Sequence, residues 1–196
     1  MELAVILFDD FETLDVFGPV EVFGKVPDYY ELKYYSVHGG TIRSRQQTLV
    51  LTQPIKDITE NYIMLLPGGQ GTRVLVNDNE FLETIKSIAN KASFVLTVCT
   101  GSGLLAKTGL LKGRKATSNK IAFDWAVSQD PQVNWIRKAR WVKDSKYYTS
   151  SGISAGTDMA LGFIADMHSE ETADKCARRM EYIWNKDKEN DPFAAI

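Results

Sequence analysis

Cys99, Thr100 and Asp15 are the residues best placed to do chemistry. Cys99 stands in A-S-F-V-L-T-V-C-T-G-S-G-L-L-A. Ser93 to Val98 read as a short, apolar, β-branched strand; Gly101, Ser102 and Gly103 permit a sharp reversal; Leu104, Leu105 and Ala106 begin a helical pattern. A nucleophile on such a strand–turn–helix elbow is expected to project into solvent beside the unpaired N–H groups of the helix start. Those groups and the helix dipole favour thiolate over thiol. The opposing reading is a buried core cysteine, a common use of this residue. The turn chemistry favours the reactive one.

Three further features can gather around that sulfur. The backbone N–H of Thr100 follows the nucleophile and is positioned to donate to a developing oxyanion. Gly68-Gly69, in P-G-G-Q-G, can bring backbone donors close to a ligand because they carry no side chain. Two such donors would make an oxyanion hole, of which each is worth about 3 kcal/mol of barrier lowering; an ordinary post-strand loop is the alternative. Asp15 and Glu21 form an acidic pair in T-L-D-V-F-G-P-V-E-V-F. Burial between Leu14 and Val16 would raise the Asp15 pKa and let it hold a proton near neutrality, to hydrogen-bond the thiolate or shuttle a proton. Its alternative use is as a helix N-cap.

Other chemistries find no support. The two histidines, His38 and His168, have no sequence reason to pair with Cys99, which argues against a Cys–His protease. No metal-ligand spacing occurs, and P-G-G-Q-G matches neither the P-loop nor the dinucleotide fingerprint. Cys176, beside Ala173, Ala177 and Met180 on a helical face, reads as core. Phe17, Trp125 and Trp135 read as core aromatics, with a pocket lining as the alternative.

The elements that must position these groups alternate. Strands are expected at Leu3–Phe8, Leu32–Val37, Tyr62–Leu66 and up to Cys99, with a hairpin-like pair over Thr41–Leu51. Apolar residues at helical spacing follow the first strand (interrupted at Gly18-Pro19, where a kink or a helix start is expected) and occupy Phe81–Ala89. Beyond Gly113 come a short helix at Ile121–Val127, strands at Val133–Ile136, Arg140–Val142 and Tyr147–Thr149, a long apolar helix after Gly152–Gly156, and an amphipathic helix from Glu170 to Trp184. This alternation predicts an α/β domain, a three-layer sandwich with a mainly parallel sheet, spanning residues 1–185. Residues 186–196 form a charged C-terminal tail expected to fray. In such sheets the ligand crevice lies outside the carboxyl ends of the strands, where Gly69 and Cys99 both fall.

The 196 residues, 44% hydrophobic, suit one domain with a substantial core. A formal net charge of -2 gives no footprint for nucleic acid. Two cysteines are too few for a disulfide scaffold and fit a reducing compartment. No run of about 20 apolar residues predicts a membrane span, and M-E-L-A-V-I-L-F reads as a strand, so a cytoplasmic location is expected.

The stretches L-D-V-F-G-P, L-P-G-G, V-C-T-G-S, A-K-T-G-L-L, G-R-K-A-T and G-I-S-A-G-T-D, in this order, resemble the ThiJ/PfpI superfamily over nearly the whole chain. Its fold is flavodoxin-like, related to class I glutamine amidotransferases, and the closest resemblance is to its isocyanide hydratase branch. The resemblance implies Cys99 as nucleophile, Asp15 as its acid partner, the N–H groups of Gly69 and Thr100 facing the reacting centre, a small-molecule substrate, no cofactor, and a homodimer. Two departures matter. Peptidase-like members carry His after the cysteine, where this chain has Thr100. Isocyanide hydratases tend to have His-Trp after their Ala-Thr-Thr segment, whereas here Asn119 takes the place of that His. Glyoxalase- or deglycase-like action on reactive aldehydes and redox sensing by Cys99 are the rival expectations.

Overall fold

The computed structural model describes residues 1–194. Its frame follows from the apolar runs. Glu2–Ile6 (β1), Glu31–Ser36 (β2), Tyr62–Leu66 (β5), Phe94–Val98 (β6) and Tyr147–Ser150 (β10) form the parallel centre of an eight-stranded sheet ordered β3-β4-β2-β1-β5-β6-β10-β9. Gly40–Arg43 (β3) pairs antiparallel with Leu49–Pro54 (β4) at one edge, and Trp141–Asp144 (β9) pairs antiparallel with β10 at the other. Both β1 and β5 are buried along their whole length, as strands covered on both faces must be.

Helices Thr13–Gly24 (α1), Ala155–Met167 (α6) and Glu170–Arg179 (α7) pack together as one layer. Thr72–Leu75 (α2), Asn79–Lys91 (α3), Gly101–Lys107 (α4) and Phe123–Gln129 (α5) form the other, and a minor pair, Lys115–Ala116 (β7) with Asn134–Trp135 (β8), packs beside β9 and β10. α3 lays Phe81, Leu82, Ile85, Ile88 and Ala89 into the core. The Asp78 side chain caps it through the Phe81 N–H at 3.0 Å, worth about 1 kcal/mol. The expected three-layer, mainly parallel sandwich is therefore what forms. From β1 the chain first builds toward β2 and β4, then returns to the other side of β1 as β5. That reversal of strand order opens the crevice at the carboxyl ends of β1, β5 and β6.

Three local expectations change. α1 begins at Thr13 and runs through Pro19, so no helix starts there. Gly18 is needed for packing, because a methyl group on it would collide with Thr157 of α6. α7 stops at Arg179 instead of Trp184. Glu181 adopts φ 50° and the Tyr182 N–H closes on Ala177 O at 2.9 Å, a Schellman-type ending. The Tyr182 hydroxyl and the Trp184 indole N–H then bond to Asp158, at 3.1 and 3.2 Å, and draw the chain off the helix axis.

The tail after Lys186 does not fray over its described part. Lys188 O accepts the Arg140 N–H at 2.8 Å, and Asp191, buried, donates its N–H to Lys138 O at 2.7 Å. Ala195 and Ile196 lie outside the described residues. Among the described residues no helix is long and apolar enough to cross a membrane.

Candidate active site

The elbow forms at the end of β6. Cys99 has φ 58°, a left-handed conformation that costs a non-glycine residue about 1–2 kcal/mol. Four hydrogen bonds hold it there. Its N–H lies 3.2 and 3.3 Å from the carbonyls of Ser150 and Ser151, and its carbonyl accepts the hydroxyls of Ser102 at 3.0 Å and Ser118 at 2.9 Å. The sulfur thus has a pinned backbone beneath it.

Asp15, in the first turn of α1, is fully buried and does not cap the helix. Its Oδ2 accepts the Gly68 N–H at 2.9 Å. Its Oδ1 is buried with no nitrogen or oxygen partner, and the remaining polar neighbour of the carboxyl is the Cys99 thiol. Burial holds the carboxyl well above the usual carboxylate range, with nearby Glu12 adding to the effect and the Gly68 donor opposing it. The direction of the shift is the one the sequence led us to expect. Glu21, by contrast, is exposed and pairs with Lys25 one turn along α1.

Cys99 departs from expectation. The residue is only 6% exposed and does not project into solvent. Burial pushes its thiol well up, the Asp15 charge adds to that, and the Thr100 N–H, the Thr100 hydroxyl and the Asn119 side chain counteract it by hydrogen-bonding the sulfur. Desolvation outweighs the start of a helix only seven residues long. Gly152, at the end of β10, completes the cover: a methyl group there would lie 2.8 Å from the sulfur.

The expected oxyanion hole is also rearranged. The Gly69 N–H donates to Thr100 Oγ1 at 3.1 Å, and the Thr100 N–H acts to lower the Cys99 pKa. The neighbouring Gly68 N–H is taken by Asp15. These donors therefore support the thiol–carboxyl pair, and the Gly69 donor is not free for a substrate oxygen. Gly68 must be glycine for space, since a methyl group would come within 2.6 Å of Thr100 Oγ1 and 3.0 Å of Asp15 Oδ2. Gly69, at φ 127°, must be glycine for conformation.

α2 was not foreseen, and it supplies the cation. The Arg73 guanidinium carbon lies 3.5 Å from the Trp125 ring centroid. That ring leans on α4 at Gly103, where a methyl group would meet it at 2.6 Å. Trp135 instead packs on Phe123, and Phe17 on Tyr34. His168 bonds the Tyr30 hydroxyl at 2.8 Å, and neither histidine is among the groups acting on Cys99. Cys176 is buried on α7, as expected. Among the described residues no cluster of three or more His, Cys, Asp or Glu could hold a metal ion.

Residues 1–166 match the model of the DJ-1/PfpI family. The chain belongs to the DJ-1/PfpI family. It is 31% identical over 183 residues to an isonitrile hydratase of Pseudomonas putida, an alignment covering 93% of this chain and 78% of that protein. It is 27% identical over 123 residues to protein/nucleic acid deglycase 2 of Escherichia coli, covering 61% of this chain and 71% of the relative. A ThiJ/PfpI family protein from Pseudomonas syringae superposes with a TM-score of 0.84 at 25% identity, over 92% of this chain and 74% of that one. Drosophila melanogaster DJ-1beta superposes with a TM-score of 0.78 at 17% identity, over 93% and 98% of the two chains, and shares the fold.

Within this DJ-1/PfpI fold, the structure brings together the four residues singled out from the sequence, Cys99, Asp15, Thr100 and Gly69. Sequence reasoning missed Ser102 and Ser118 under the elbow, Gly152 over the sulfur, and Arg73. The clue to Arg73 was its place in G-G-Q-G-T-R, in the loop that follows a strand end, where ligand crevices of parallel sheets lie.

Proposed function

We propose that the protein is a cysteine-dependent hydratase that converts an isocyanide to an N-substituted formamide. The observation that carries this reading is the buried Asp15 carboxyl, with its free Oδ1, beside the sulfur of a strained elbow. Three donors serve the sulfur, whereas Gly68 alone serves Asp15. The reaction requires the one negative charge of the pair on Cys99 and its proton on Asp15; burial raises the pKa of both groups, and the donors around the sulfur oppose that rise at Cys99. The relative named as an isonitrile hydratase supports the same reading.

The Cys99 thiolate attacks the terminal carbon, and that carbon takes the proton from Asp15, giving a thioimidate. Asp15, now a carboxylate, accepts a proton from water as the water oxygen bonds to the same carbon, and passes it to nitrogen. The tetrahedral adduct collapses, the carbon–sulfur bond breaks, and the hydroxyl proton returns to Asp15. Net addition of one water regenerates the starting pair. The Thr100 and Asn119 donors stabilise the sulfur whenever it leaves as an anion.

The test is to supply a simple alkyl isocyanide and follow formamide formation in wild type, Cys99→Ala and Asp15→Asn. Loss of turnover in both variants is the expected result. Turnover that survives Cys99→Ala excludes the covalent route. Consumption of methylglyoxal without glutathione, with no formamide from isocyanide, replaces the hydratase reading with the aldehyde one that the deglycase relative represents.

A further inference from the structure

We propose that Arg73 is an anion receptor beside Cys99, and that the substrate carries a carboxylate close to its reacting group: an isocyano acid. The choice of reacting group rests on the hydratase reading. The charge rests on Arg73 alone.

Arg73 is held to the elbow by its own helix. The hydroxyl of Thr72, the preceding residue, donates to Gly69 O at 2.7 Å and lies 3.2 Å from Thr100 Oγ1. The backbone of Arg73 therefore moves with the loop that carries Gly68 and Gly69. Its guanidinium lies on Trp125, and Trp125 lies on Gly103 of the cysteine's helix. Cation–π stacking of this kind holds the group flat and leaves its edge for hydrogen bonding. Burial lowers the Arg73 pKa from its ordinary value, and the charge of Cys99 opposes that.

What it lacks is a partner. Among the described residues, no Asp or Glu forms an ion pair with Arg73, and its Nη1 is buried without a hydrogen-bond acceptor. Asp15, the acidic group of the site, is engaged by the Gly68 N–H at 2.9 Å, and burial raises its pKa well above the usual carboxylate range. An arginine fork fixed by stacking, lacking a carboxylate of the protein and next to a nucleophile, is arranged to take a planar anion from outside. A carboxylate fits it, and would turn the isocyanide carbon toward Cys99.

Two measurements test this separately. The first needs no turnover: the rates at which iodoacetate and iodoacetamide alkylate Cys99, read by intact mass. The two reagents have nearly the same size and differ in charge; in each, sulfur displaces iodide at the same carbon. Relative to Arg73→Ala, the wild type is expected to favour iodoacetate about tenfold more, with Arg73→Lys between them. The second compares isocyanoacetate with its methyl ester as substrates. The acid-to-ester ratio of kcat/KM is expected to fall about tenfold in Arg73→Ala, mainly through KM.

An alkylation ratio that is the same in wild type and Arg73→Ala overturns the receptor, whatever the turnover. A shifted alkylation ratio with no turnover of either isocyanide upholds the receptor and rejects the hydratase reading. Turnover with no preference for the acid rejects the isocyano acid as substrate and leaves the hydratase reading standing.

Discussion

Gly152→Ala is a direct probe of how the sulfur is covered. The added methyl carbon would sit 2.8 Å from Cys99 Sγ, about 0.6 Å inside the 3.4 Å at which ordinary contact begins, and would overlap the Asn119 amide. The backbone at Gly152 lies outside the left-handed region, so alanine itself is not strained there. Cys99 cannot retreat, because its N–H and carbonyl are held by Ser150, Ser151, Ser102 and Ser118. Asn119 is partly exposed and can swing away. The sulfur then loses a donor, and the approach to it narrows. A hydrogen bond to a charged group contributes about 1.5–3 kcal/mol. At 1.36 kcal/mol per factor of ten, reaction of the Cys99 thiolate at fixed pH should slow roughly 10- to 150-fold. Overpacking should cost about 1–3 kcal/mol of stability, so the fold survives. The assay is iodoacetamide alkylation followed by intact mass, with Gly24→Ala as control, since a methyl group there meets only Leu32 Cδ1 at 3.8 Å. Alkylation of Gly152→Ala at the wild-type rate would refute the claim that Gly152 and Asn119 roof the sulfur.

Asp15→Asn should change how stability depends on pH. The folded-state pKa of Asp15 is raised, so its contribution to stability is whole below the unfolded value near 3.8 and is lost as pH rises through the folded value. Asparagine still accepts the Gly68 N–H but does not titrate, so the variant should gain on wild type in melting temperature between pH 4 and pH 9; a constant difference would contradict the burial argument. Asp158, the last residue of the G-I-S-A-G-T-D stretch, is structural: its Oδ2 receives Arg140 Nε at 2.7 Å and Nη2 at 2.6 Å, with both side chains buried. Asp158→Ala should cost up to about 3–5 kcal/mol in urea unfolding by removing the closer of the two buried carboxylates on Arg140, the other being Asp191 at 3.6 Å from Nη1, and a loss under about 1 kcal/mol would mean that the pair is solvated. Leu14, Leu49, Leu51 and Ile153 leave apolar side chain exposed; light scattering should return twice the 22.0 kDa of one chain, and a monomer mass would remove the homodimer proposal.

Much of the scaffold was legible because its signals are local. β5 and β6, and β1 after Glu2, are runs of apolar or β-branched residues short enough to cross a sheet, and α3 announces itself by apolar residues at helical spacing. The elbow was legible because V-C-T-G-S-G joins a strand directly to a helix start. α7 was read too long because its periodicity continues past Arg179, while the chain beyond its Schellman-type end is drawn aside by Asp158, on another helix. Pro19 was read as a break, although α1 tolerates it while passing close to α6.

The amino-acid sequence by itself determined the order of strands and helices along the chain, the cysteine at the elbow and the aspartate that follows the first strand, because each depends on neighbours a few residues apart. Tertiary structure decided the rest. Whether the sulfur is open or covered depends on Gly152 and Asn119, and the occupied state of the Gly69 donor depends on Thr100. Arg73 meets Trp125 because α2 and α5 both pack on α4. Protonation and charge pairing depend on burial and on distances between segments remote in the chain, and these exist only once the sheet has closed its crevice.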